Sequence, residues 1–180
     1  MKKFELTTES ITNEAGKKLF RIKALIDFGD VKAGELGGYV EKEGNVSQDD
    51  NAWVSGDAEV FGNAKVFGNA RVSGHAWVSD NAWVSDNAWV SDNALVFGRA
   101  LVFGDAKVSG RALVFGNARV SGDALISGNA WVSDNAWVSD KGQWHITNGQ
   151  RAQPYLKPAA ANYAKEYTAI IADELKGAMG

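Results

Sequence analysis

The residues best equipped for recognition in this 180-residue chain are its seven tryptophans and the arginines and lysines scattered among them. Trp53, Arg71, Trp89 and Lys107 recur at eighteen-residue intervals, as do Trp83, Leu101, Arg119 and Trp137. Aromatic planes with cations between them are suited to stacking a base and neutralising a phosphate. The competing role for the same residues is a cation–π ladder that stabilises the fold. Groups for covalent chemistry are sparse. Cysteine is absent, which excludes a disulfide framework, a thiolate nucleophile and a cysteine metal site. There are two histidines, His75 and His145. His75 stands where other repeats have Asn, Asp or Arg, and reads as a solvated corner. Serines recur regularly, but no His or Lys base accompanies each one, so they do not form a unique nucleophile.

These residues are carried by a repeat. From Asn51 to Asp140 one six-residue unit, N/D-A-x-V-S/F-G/D, runs fifteen times without interruption. Ala recurs from Ala52 to Ala136 and Val from Val54 to Val138, with Ile126 as the one substitute. Ala and Val are two residues apart, so on an extended strand they face one side, and the residues flanking Val face the other. The Gly-Asn, Gly-Asp or Asp-Asn pair that follows is suited to a bend. One such unit cannot bury its own apolar face, whereas a stack of them can. The expected fold class is therefore an all-β solenoid with an Ala/Val interior too narrow for a ligand. Asn63, Asn69, Asn81, Asn87 and Asn93 are expected to form hydrogen-bonded ladders along its edges.

Runs such as V-S-G-N-A-W and V-F-G-N-A-R resemble the hexapeptide-repeat family, which implies a left-handed parallel β-helix with three units per triangular coil. Fifteen units would then make five coils, a prism about 24 Å long. Residues eighteen apart would stack in columns. The first face carries Trp53, Arg71, Trp89, Lys107 and Leu125, with Ser55, Ser73, Ser91, Ser109 and Ser127 alongside. The second carries Glu59, Trp77, Leu95, Leu113 and Trp131, with Phe61, Ser79, Phe97, Phe115 and Ser133. The third carries Lys65, Trp83, Leu101, Arg119 and Trp137, with Phe67, Ser85, Phe103, Ser121 and Ser139. Every repeat Trp is followed two residues later by Ser, and every Leu-Val pair by Phe, so a large ring is expected beside a small neighbour in its own strand.

So much outward apolar surface is unusual for a monomer. The second face has no basic residue at these positions. Trp77, Leu95, Phe97, Leu113, Phe115 and Trp131 are therefore expected to be buried between subunits. Proteins of the resembled family are commonly trimers, and a cyclic assembly suits a prism with one adhesive face. The first and third faces are left as candidate ligand surfaces, through Trp53, Arg71, Trp89, Lys107, Trp83, Arg119 and Trp137.

The ends do not repeat. Residues 1–45 read as an N-terminal β cap: a strand at Phe4-Glu-Leu, a turn at Asn13–Gly16 and a strand from Lys18. Val40 and Val46 already share the six-residue spacing, and Gln48-Asp49-Asp50 shifts the phase by two, predicting a bulge. The β-helix is placed at 46–146 and a linker with a C-terminal helix at 147–180. Tyr163, Tyr167, Ile170, Ile171 and Leu175 make an apolar stripe on that helix, suited to capping or trimerisation.

Net charge is −3 with no basic cluster, which argues against bulk nucleic-acid binding. There is no apolar run long enough to span a membrane and no signal-peptide core, so the expected location is the cytoplasm of a bacterial host cell. Phe28-Gly-Asp-Val-Lys-Ala-Gly-Glu-Leu-Gly-Gly-Tyr-Val-Glu, followed by N-A-x-V units, is similar to phage and prophage hexapeptide-repeat proteins of the YdcK type. That resemblance implies a phage-related origin and carries no reaction. The expected function is a non-catalytic binding or scaffold protein that sequesters a small nucleotide signal or a host factor, with no cofactor. The alternative is an acyl-CoA-dependent hexapeptide-repeat acyltransferase using His75 or His145. Against it, the repeat has no inserted loop to cover a substrate. A separate metal-dependent reading fails because two histidines are too few for the zinc site of carbonic anhydrases of this fold.

Overall fold

A computed structural model describes residues 1–139. Each repeat unit contributes a two-residue strand, beginning with Trp53–Val54 and ending with Trp137–Val138. The strands assemble into three parallel sheets, one per face, and the chain is a parallel β-solenoid of about six turns. Pairing joins residues eighteen apart, as in Trp89 with Arg71 on one side and Lys107 on the other. The three columns of the sequence reading are therefore the three faces of the solid. The predicted C-terminal helix and His145 lie outside the described residues.

The repeating alanines and valines, together with Ile126, fill the interior, all of them buried. Backbone N–H groups are satisfied from coil to coil, for example Trp89 N–H to the carbonyl of Ala106 at 2.8 Å. The corner demands a left-handed residue. Glycine supplies it in most units, and Asp80, Asp86, Asp92 and Asp134 supply it with φ between 58° and 60°. Asp tolerates this region because its carboxylate can bond locally. Here Asp80 accepts the N–H of Gly98 at 3.0 Å, one coil on. The expected edge ladder forms in part. At the corner shared by the third and first faces Asn51 donates to Asn69, Asn69 to Asn87, and Asn87 to Asp105 at 2.9–3.0 Å. At the corner between the second and third faces Asn63 donates to Asn81 at 3.4 Å, and Asn93 joins no ladder among the described residues.

The cap is built on the second face. Strands β1 (Phe4–Thr12) and β2 (Lys18–Ala24) pair antiparallel, and β3 (Leu36–Val40) pairs antiparallel to β2 and parallel to Glu59–Val60. β3 is thus already a strand of the first coil, one coil more than the fifteen units supply. That coil is two residues longer than the rest, since Val40 pairs with Val60 and Val46 with Val66. The surplus falls at the predicted bulge, and Gln48 uses it to dock β1. Its Oε1 accepts from the N–H of Lys3 and of Phe4 at 2.8 and 3.2 Å, and its amide donates to the Phe4 carbonyl.

Two further residues close this end. Lys3 is buried, and its ammonium donates to the carbonyls of Asp49, Asp50 and Ala52 at 2.9–3.3 Å. Gly37 lets β3 lie against the coil, because a Cβ there would meet Ile22, the Val54 carbonyl and the Trp53 ring at 2.5–2.7 Å.

Candidate functional site

The first face is where the chain leaves space. Its outward positions beside the Trp/Arg/Lys column are all serine, whereas the other two faces place phenylalanines in the same register. On those faces the rings fill the trough. Phe97 stacks on Phe115 with centroids 5.0 Å apart, and Phe61 and Phe67 meet Trp77 and Trp83 edge-on at 5.8 Å. A serine fills far less volume, so a trench of about 280 Å³ opens along the first face. It is lined by Trp89, Ser91, Lys107, Ser109, Leu125, Ile126 and Ser127.

Four of the repeat rings lean toward the preceding coil, Trp77 and Trp83 onto phenylalanines and Trp89 and Trp137 onto serines. Trp89 Nε1–H donates to Ser73 Oγ at 3.1 Å, and Trp137 Nε1–H to Ser121 Oγ at 3.1 Å. The neighbour that matters therefore lies sixteen residues back, not two residues on as the expected in-strand pairing had it. Trp89 remains 47 % exposed, and Lys107 is exposed and forms no ion pair among the described residues.

The structure divides the predicted ligand residues into three groups. Trp89 and Lys107 come together in the trench. Trp53 is withdrawn from the surface, at 2 % exposure, with Phe4 and Phe28 edge-on to its ring at 6.2 and 5.4 Å. Arg71 is half-buried and its guanidinium is ion-paired with Asp30, so it is already neutralised. The segment between β2 and β3, which bears Phe28 and Asp30, folds over this end of the face. That non-repeating cover is why the expected Trp53–Arg71–Trp89 stack is not an accessible unit. On the third face Leu101 separates Trp83 from Arg119, whereas Arg119 and Trp137 stand on adjacent rungs, and all three outward side chains of the predicted set are exposed. No cation–π contact joins a repeat Trp to Arg or Lys among the described residues, so the stabilising cation–π ladder does not form there.

The second face is an apolar strip continuous with the cap. Buried Leu19, Tyr39 and Phe61 pack with Trp77. Leu95, Phe97, Leu113 and Phe115 follow, half-buried, and Trp131 is exposed. Glu59 sits at its head, bonded by the Asn13 amide at 2.9 Å, and burial holds its carboxyl above the usual carboxylate range. His75 is an exposed corner residue, as expected, with Nδ1 3.9 Å from Asp57 Oδ2. Among the described residues no cluster of ligating side chains is arranged to hold a metal ion, and no helix is long and apolar enough to cross a membrane.

These features define a β-solenoid repeat protein. Two of its segments, residues 64–80 and 118–134, match the YdcK Beta solenoid repeat family. No curated protein matches the chain.

Proposed function

We propose that the protein is a non-catalytic binding protein: a left-handed hexapeptide-repeat prism of phage-related origin that sequesters a small nucleotide-like signal on its first face. The observation that carries this reading is the serine-floored trench, where a half-exposed indole and an ammonium without an ion-pair partner among the described residues line one cavity. An aromatic plane is suited to a base, an ammonium to a phosphate, and serine hydroxyls to either phosphate or sugar oxygens. The apolar second face supports a homotrimer, with Leu95, Phe97, Leu113, Phe115 and Trp131 between subunits and Trp77 partly satisfied by Phe61. That arrangement leaves the first face free.

Native mass spectrometry of the full chain, purified from an expressing bacterium, tests the reading. The expected spectrum is a trimer carrying extra mass of nucleotide size. A clean trimer would favour a scaffold that binds a host protein, and a monomer without adduct would contradict both parts.

A further inference from the structure

We infer that the first-face trench takes a ligand with one ring system and one phosphate, a mononucleotide or an aryl phosphate of similar size, and not a polyphosphate or a dinucleotide. This rests on the trench being a nucleotide-class site. Three observations restrict the ligand further.

The first is volume. At about 280 Å³ the trench lies at the lower end of small-molecule sites, which begin near 300 Å³. One flat ring with a sugar and a phosphate matches such a space, and a second nucleotide would extend beyond the residues that line it. Leu125, the last described residue of this column, adds apolar surface beside Lys107.

The second is the count of cations. Among the described residues Lys107 is the one basic side chain lining the trench. The other cation of this column, Arg71, lies one rung beyond Trp89 and is committed to Asp30.

The third is repulsion at the rims. Asp92 and Asp105 stand at the two corners that bound this face, both exposed. Each is held in place: Asp92 accepts the Gly110 N–H, and Asp105 accepts from the Asn87 amide, both at 2.9 Å. A single phosphate can sit on Lys107 between them, whereas a chain of phosphates laid across the face meets a carboxylate at either rim, with Arg111 the exposed cation next along the Asp92 side.

The test is isothermal titration calorimetry on the full chain, freed of co-purified small molecules, with adenosine, adenosine monophosphate and adenosine triphosphate as probes. The monophosphate should saturate at one per chain, and the triphosphate should bind no more tightly. Lys107→Met should weaken the monophosphate by at least about tenfold, the scale of one charge-assisted contact, at unchanged thermal stability. Arg71→Met should leave it within about twofold. A triphosphate bound more than about tenfold tighter than the monophosphate would overturn the single-phosphate assignment while leaving a nucleotide site in place. Failure of all three probes to bind would overturn the nucleotide reading itself.

Discussion

The indole N–H of Trp89 donates to the hydroxyl of Ser73, 3.1 Å away on the preceding coil. The ring therefore lies toward the N-terminal end of its face and leaves the space on its other side, over Ser91 and Ser109, unfilled. Ser73→Ala removes one hydrogen bond at a partly exposed position, and the expected loss is about 0.5–1.5 kcal/mol in urea unfolding. The same change at Ser121, which holds Trp137, should cost a similar amount.

The interior tolerates no charge. Val102 is fully buried between alanines and valines of neighbouring coils, with no polar side chain to receive a carboxylate. Val102→Asp is expected to exceed about 4 kcal/mol of destabilisation and to abolish the cooperative thermal transition followed by circular dichroism. Val102→Ala should remain folded with a lowered midpoint.

The cap has an equally tight point. Gly37→Ala would push a methyl group against the Val54 carbonyl and the Trp53 ring, at 2.6 and 2.7 Å. Overpacking of this kind costs about 1–3 kcal/mol. Because Trp53 is the buried ring displaced, the native-state emission of the variant minus that of the parent should show a gain at longer wavelength, and a flat difference spectrum would place the clash elsewhere.

Lys3 gives the cap a pH signature. Burial, set against the nearby Asp50 and Asp49, lowers its pKa from 10.5 to about 8. Between those values the unfolded chain holds the proton and the folded chain has lost it. The unfolded state therefore binds more protons, and stability rises with pH across that window. This contribution is absent in Lys3→Met. The urea midpoint of the native protein relative to Lys3→Met should accordingly increase between pH 8 and pH 10.5, and a difference that stays flat or falls would contradict the assignment.

Much of this architecture was legible in the repeat. The alternation of Ala and Val fixes which side faces inward, and the residues able to adopt a left-handed corner mark every bend. The eighteen-residue columns, taken from the family resemblance, matched the pairing of Arg71, Trp89 and Lys107. The all-serine column beside them was also visible, although its consequence, an open trough, required knowing that phenylalanines fill the same trough elsewhere. What could not be read came from the segments without a period. Nothing in the spacing says that Phe28 and Asp30 fold over Trp53 and Arg71, since that contact joins distant parts of the chain. Lys3 as an interior plug was equally hidden, because an N-terminal lysine ordinarily stays in solvent. The tilt of Trp77, Trp83, Trp89 and Trp137 toward the coil before each depends on side-chain direction, which spacing alone does not reveal.

The trench is the centre of the proposed site, and Ser109→Phe tests it. The substitution places on the first face the ring that Phe97, Phe103 and Phe115 already supply in the same register on the other faces, so the coil should accept it. The expected variant keeps native thermal stability and oligomeric state, and its mass spectrum has lost the nucleotide-sized adduct. A variant equally stable that still carries the adduct would show that the ligand lies elsewhere and would contradict the assignment of the first face.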